Sequence, residues 1–267
     1  METPLKKFKK SHLSPSAINA FRADPVAELK RRFEGIKDAD NMNMVRGRVA
    51  EQVVELLICK KINNDQIDTT IDNIFRNEIA FKDFNEEEKE KTLTMLKGDG
   101  KKANGMVRNM LEAFNQLECK EPFKFQTDHE TLLNGTLTKL KGKTDFENNK
   151  VVIDWKATAQ IRKIEIDNKV QGGIYYKMTG GKRIIFVKAS KTKFEIQELT
   201  AKEIYEGLET AVHVIKTIEH ICRTFDNLSD YYKCIYPFKK YDRSEIMEDE
   251  IKNEYRKIHN TEAYNGI

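Results

Sequence analysis

The stretch Gly142-Lys-Thr-Asp145-Phe-Glu-Asn-Asn-Lys-Val-Val-Ile-Asp154-Trp-Lys156 decides how this chain is read. Residues 150–155 (KVVIDW) are dominated by β-branched and apolar types, the composition of a strand with at least one buried face. Ahead of them, Asn148-Asn149 fits a two-residue turn, because Asn tolerates the positive φ that such turns demand. With that turn, Glu147 faces Lys150, Asp145 faces Val152 and Lys143 faces Asp154. Side chains alternate along a strand, so Val152, Asp154 and Lys156 share one face, and Asp145 joins it diagonal to Asp154. Diagonal neighbours stand roughly 7–8 Å apart, close enough for two carboxylates to converge on one cation.

Two aspartates side by side on an apolar strand repel each other, and burial adds to the cost. A divalent ion would remove both penalties, and hard carboxylate oxygens suit Mg²⁺ or Mn²⁺. Lys156 would then stand beside the metal, placed to orient or deprotonate a water and to steady developing phosphate charge. In a chain that is 34% charged, the same residues also read as a solvated hairpin face. The residues alone leave both readings open.

Asp145 followed by Asp154-Trp-Lys156 resembles the D…(D/E)-x-K signature of the PD-(D/E)XK nuclease superfamily. Gly142-x-x-Asp145 resembles its RecB-like and lambda-exonuclease-like branches, phage exonucleases among them. Three further pieces are similar to motifs of those branches: Ser14-Pro15-Ser16, Arg46-Gly47-x-x-x-Glu51 and Gln171-Gly-Gly-Ile-Tyr175. The match spans roughly residues 11–200.

The resemblance implies an α/β fold with a restriction-endonuclease-like core, a small mixed β-sheet flanked by helices. The whole chain would be one nuclease domain, with a helical insertion at about 63–121 and a peripheral tail at about 240–267. It implies a Mg²⁺- or Mn²⁺-dependent DNA exonuclease of recombination, repair or end processing. Asp145, Asp154, Lys156 and Glu51 would be catalytic; Asp145, Asp154, Glu51 and the Trp155 carbonyl would hold the metal. Gln171 and Tyr175 would hydrogen-bond the DNA backbone and help set the lysine, with Ser14, Ser16, Arg22, Arg46 and Arg48 as further candidates for DNA contact. The expected partner is linear DNA, and a single-strand annealing or recombination protein is compatible with that role. Two alternatives stay open: a structure-specific or restriction-like endonuclease, and a catalytically silent DNA-binding module of the same fold. Some RecB-like relatives hold an iron–sulfur cluster, but Ala23 stands where its first cysteine would be, so no cluster is expected. The motif carries Asp154 rather than Glu, and Ala157-Thr158 follows where Thr-Gly is usual; neither change removes a needed chemical group.

Composition sets outer limits. A chain of 267 residues can bury a sizeable core. A net charge of +4 permits nucleic-acid binding without arguing for it. With no secretory h-region and no membrane-length apolar run, a cytoplasmic protein without a membrane partner is expected. Cys59, Cys119, Cys222 and Cys234 stand far apart, which disfavours a disulfide frame or structural zinc site. No H-E-x-x-H or G-x-S-x-G occurs, and the loop 98–100 lacks the Gly-Lys-Ser/Thr of a phosphate-binding loop.

Working outward, residues 1–10 (METPLKKFKK) read as a flexible basic arm. Ser14 caps a helix with Pro15 at its first position and Ile18 and Phe21 inward. A second helix begins at Arg46 and runs through Ile58; Gly47 inside it weakens it unless the missing side chain lets the helix approach a strand or metal. Residues 63–121 look helical, with Lys97–Lys102 as a helix connection. Strands are expected over 123–129 and 136–146, a helix over 165–178, a hairpin over 182–199 and a long helix over 201–225. His129 reads as an ordinary polar strand-end residue, and His213 and His220 as surface residues.

Overall fold

The computed structural model describes residues 2–35, 41–100, 104–117 and 122–235. The tail from residue 240, Lys101, Lys102 and Cys119 lie outside the described residues, as do the ends of the expected insertion near 118–121. In chain order the elements are β1 (His12–Leu13), α1 (Pro15–Ala23), α2 (Pro25–Leu29), α3 (Met42–Ile58), α4 (Ile67–Ile79), α5 (Glu86–Lys97) and α6 (Met106–Gln116). There follow β2 (Lys124–Thr131), β3 (Lys139–Glu147), β4 (Val151–Ala157), α7 (Ile166–Met178), β5 (Arg183–Ala189), β6 (Phe194–Glu198), α8 (Ala201–Thr224) and α9 (Leu228–Ile235). The chain is α/β, with a mixed sheet flanked by helices. Its contacts fall into two compact units.

The first unit comprises residues 1–38, 132–140 and 210–267. Ser14 Oγ accepts the Ala17 amide at 3.2 Å, and Pro15 opens α1 with Ile18 and Phe21 buried, as its capping pattern requires. The basic N-terminal stretch is not the free arm expected. Pro4–Phe8 form a 3-10 helix whose Leu5 is fully buried. Thr3 hydrogen-bonds Thr138 at 2.9 Å, Lys7 donates to the Phe225 carbonyl at 2.7 Å, and the Phe8 and Phe33 rings meet at 5.3 Å. Two apolar anchors among the lysines outweigh the entropy of ordering so short a segment. Here too β1 pairs in parallel with the start of β3 (His12↔Lys139, Leu13↔Leu140).

The second unit, residues 39–131 and 141–209, holds α3 to α7, β2, most of β3, and β4 to β6. β4 is parallel to β5 over its full length, from Val151↔Arg183 to Ala157↔Ala189. Parallel neighbours need a crossover, which α7 supplies. β5 and β6 form the expected antiparallel hairpin. Alternation sorts β4 onto two faces. Val151, Ile153 and Trp155 join Phe146, Ile185 and Val187 in a core shared with Val49, Val53 and Val54 of α3 and with residues of α4 to α6. Val152 packs with Tyr175, Ile184, Phe186 and Leu199 on the opposite side. The helices of the expected insertion therefore contribute Ile71, Phe75, Leu96 and Met110 to the same core as the central strand.

α3 starts at Met42, four residues before the expected Arg46, because Asn41 caps it by accepting the Met44 amide at 3.1 Å. Gly47 does not serve close packing: a Cβ built there meets nothing within 4 Å. Gly172 and Gly173 are among the glycines that do permit close approach. A Cβ on Gly172 would stand 2.3 Å from Leu199 Cδ1, and one on Gly173 2.9 Å from the Ile204 carbonyl oxygen. The pair presses α7 onto the sheet and the start of α8.

Candidate active site

The central hairpin forms, with its turn displaced by one residue. The ladder pairs Phe146↔Ile153 and Glu147↔Val152, so the loop residues are Asn149-Lys150 rather than Asn148-Asn149. The cause is the Asn148 side chain, whose Oδ1 accepts the amides of Lys150 at 2.8 Å and Val151 at 2.9 Å. No residue of this turn takes a positive φ. Moving a turn by one residue moves the register by two, which preserves every face. Asp145 thus still shares a face with Asp154, and continuing the ladder one step puts the two directly opposite rather than diagonal. The Trp155 amide donates to Asp145 Oδ2 at 3.0 Å, tying one arm to the other.

Around Asp154 the polar groups form a closed chain. Asp154 is 1% exposed, and its Oδ2 lies 2.6 Å from Lys156 Nζ. That contact is a charge pair without hydrogen-bond alignment, and Oδ2 has no hydrogen-bond donor besides among the described residues. Lys156 Nζ donates to Gln171 Oε1 at 3.1 Å, and Gln171 Nε2 donates to Asp154 Oδ1 at 2.8 Å and to the Tyr175 hydroxyl at 3.1 Å. Tyr175 in turn donates to the Lys143 carbonyl at 2.8 Å. The i, i+4 spacing on α7 is what brings Gln171 and Tyr175 together. Both touch the lysine's surroundings; Tyr175 is 5% exposed and committed to β3.

Electrostatics separate this cluster from an ordinary charged surface. Burial raises Asp145 well above the usual carboxylate range, and the charges of Asp154 and Glu51 raise it further. Glu51 on α3 is lifted to about 7, first by burial and then by Asp154. Burial also raises Asp154, against the lowering pull of Lys156. For Lys156 burial acts downward, but Asp154, Asp145 and Glu51 together hold it above its ordinary value. Lys156 is therefore an ammonium among three mutually repelling acids. The centroid of the Phe186 ring lies 5.8 Å from Lys156 Nζ.

A buried Asp154 whose charge raises the half-buried Asp145 and Glu51 makes a carboxylate set of the right chemical kind for a hard divalent cation. Asp154 now has an ammonium as its counterion, and among the described residues no three His, Cys, Asp or Glu side chains are drawn into one metal-binding group. The donor chemistry fits Mg²⁺ or Mn²⁺; the residues are placed by packing and by Lys156.

The other sequence candidates are spread more widely. Arg46 is 7% exposed, with Nη1 3.5 Å from Met95 Sδ and Nε without a hydrogen-bond partner among the described residues. Arg48 pairs with Glu78 at 2.7 Å and lowers Glu51. In the first unit, Ser14 and Ser16 hydrogen-bond each other at 2.9 Å, and Arg22 is exposed on α1. Cys59 and Cys222 are free thiols.

Sequence reading missed two features. His129 is no idle strand-end residue: its Nε2 lies 2.7 Å from Oε2 of Glu147, an acid 4% exposed. Thr144 Oγ1 donates to the same oxygen at 3.0 Å, and Lys182 Nζ lies 3.4 Å from Oε1. The second is Lys188, register partner of Lys156 on β5 and 5% exposed. Its Nζ donates to the Arg162 carbonyl at 2.9 Å, the Lys163 carbonyl at 3.1 Å and Asn168 Oδ1 at 3.0 Å. A lysine inside the apolar run KRIIFVKAS was the available signal for it.

No family model matches the sequence, and no curated protein matches it. One similar solved structure is described as "Crystal structure of SSO0001", 13% identical over 85% of this chain and 96% of that one, with a TM-score of 0.30. A likeness that distant bears on neither fold nor function. Among the described residues no helix is long and apolar enough to cross a membrane.

Proposed function

We propose that this protein is a divalent-metal-dependent deoxyribonuclease with a restriction-endonuclease-like PD-(D/E)XK core, acting as an exonuclease on linear DNA. The observation that carries the reading is the company Asp154 keeps. A buried aspartate, a second acid opposite it, a third on α3 and a lysine two residues on share one field in one compact unit. Structural ion pairs are balanced; this set holds three acids against one amine, a surplus that a bound cation would relieve. Asp145, Asp154 and the Trp155 carbonyl, with Glu51, would hold the ion, which supplies a Lewis acid for the phosphate and a more acidic water.

The chain's own groups have definable parts. Lys156, protonated and aimed by Gln171, donates hydrogen bonds to an attacking water or a phosphate oxygen and offsets charge developing there. Gln171 fixes the position of Lys156 and Asp154 at once, since each of its two amide ends is engaged. Tyr175 holds Gln171 against β3 through the Lys143 carbonyl. The Arg-Gly-x-x-x-Glu, Gly-x-x-Asp and Gln-x-x-x-Tyr resemblances support exonuclease action over other nucleases of this fold.

The test is release of soluble nucleotides from linear and covalently closed DNA, with Mg²⁺ or Mn²⁺ and with EDTA. Digestion of linear DNA alone, abolished by EDTA, is the expected result. Equal cutting of closed circles would move the assignment to an endonuclease. Absence of any metal-dependent cleavage would leave a silent DNA-binding module.

A further inference from the structure

Between Lys156 and α7 the chain makes a short loop at the carboxyl end of β4, next to the carboxyl end of its parallel neighbour β5. In open α/β sheets this is the edge at which ligands are bound. The loop is pinned from beneath. Thr158 N donates to the Ala189 carbonyl at 2.9 Å, and Gln197 Nε2 donates to the Arg162 carbonyl at 3.2 Å. The third tie is Lys188, whose buried ammonium is taken by the Arg162 and Lys163 carbonyls and by Asn168 at the start of α7. An apolar residue would fill that strand position without the desolvation cost of an ammonium. Placing a lysine there makes sense if the loop's shape matters.

The side chains of the two pinned residues point the other way. Arg162 and Lys163 are both exposed. Arg162 has only a long contact with Glu165, at 3.6 Å and with both side chains more than half exposed, and Lys163 has no ion-pair partner among the described residues. Surface pairs of that kind are worth little, so both cations are available. Two adjacent exposed cations on a pinned loop, beside a site read as handling phosphodiesters, carry the charge that a nucleic-acid backbone attracts.

We propose that the Thr158–Glu165 loop grips the backbone of the nucleic-acid strand beside the scissile phosphate, with Arg162 and Lys163 as phosphate ligands and Lys188 as the positioning residue that holds their loop. The inference rests on the nuclease reading of the Asp154 site and names the contact that delivers the strand to it. It requires no base contact, so binding through this loop is independent of sequence.

The test measures affinity for a labelled oligonucleotide in EDTA over a range of salt concentrations. Each lost phosphate contact lowers the slope of log K against log salt by roughly 0.7–0.9. The double variant R162A/K163A should therefore lose between one and two units of slope, bind about tenfold or more weakly near 50 mM salt, and keep its Tm. Lys188→Met should reproduce the slope loss although its side chain barely reaches solvent, and R162A/K163A/K188M should lose no more than the double variant. An unchanged slope in R162A/K163A overturns the phosphate assignment. A K188M protein that is less stable yet keeps the wild-type slope overturns the positioning role. These outcomes are read from binding alone and are separable from failure of the nuclease reading, which would show as wild-type protein that cleaves no DNA with Mg²⁺ or Mn²⁺.

Discussion

Two buried acid clusters lie on the same hairpin and are built on opposite principles. Glu147 and Asp154 are about equally hidden, at 4% and 1% exposed. Burial alone would raise both. At Glu147 the donors His129 and Thr144 and the charge of Lys182 outweigh burial and bring the acid below its ordinary value. At Asp154 a single lysine serves three acids, and Glu51 and Asp145 stay raised. A carboxylate with its hydrogen bonds and countercharge in place holds a structure together. A carboxylate crowded by others stores repulsion that a ligand of opposite charge can release.

The contrast can be broken by mutation. Lys156→Ala should lower DNA hydrolysis by a factor on the order of 10²–10⁴, because it removes the one cation aimed at the reacting groups. It should cost stability as well, because it strips buried Asp154 of its countercharge. Glu147→Ala should cost stability alone. With His129 and Lys182 left without their shared carboxylate, unfolding free energy should fall by about 2–4 kcal/mol in a denaturant titration, and the cleavage rate per folded molecule should hold. If Glu147→Ala costs activity and no stability, the two clusters are not different in kind.

A pH series sharpens the same point. Glu51 holds its proton more tightly folded than unfolded, so its contribution to stability is intact below its ordinary 4.5 and is lost as pH rises to about 7. Metal-free wild type should thus lose on the order of 2–3 kcal/mol across that window. Glu51→Gln should be free of this loss and outlast wild type at pH 8 in EDTA. A flat profile for wild type between pH 5 and 8 would show that burial and Asp154 do not raise Glu51. The smallest effect is expected at Gly47, where open space awaits a methyl group. Gly47→Ala should stabilise α3 by about 0.5–1 kcal/mol, read as a raised denaturant midpoint.

Much of the site was legible because its members lie close in sequence or at fixed helical spacing. Asp154 and Lys156 alternate on one strand, Gln171 and Tyr175 are one helical turn apart, and Asp145 is brought back by a short hairpin. The turn itself was misplaced by one residue, since an Asn side chain rather than a positive φ closes it. The site survived that error because strand faces repeat every two residues. The Glu147 cluster was not legible. His129, Thr144 and Lys182 come from three separate segments, and no local pattern marks their meeting.

The sequence by itself determined the central strands, the longer helices and which of their residues share a face, since these follow from periodicities of two and 3.6 that short stretches carry whole. Only the tertiary structure decided which buried acids are satisfied and which are crowded. It also decided that Leu5 anchors the amino-terminal segment, and that Lys188 reaches up to hold the loop above it. Charge balance and burial are properties of neighbours in space, and a pattern along the chain does not encode who those neighbours are.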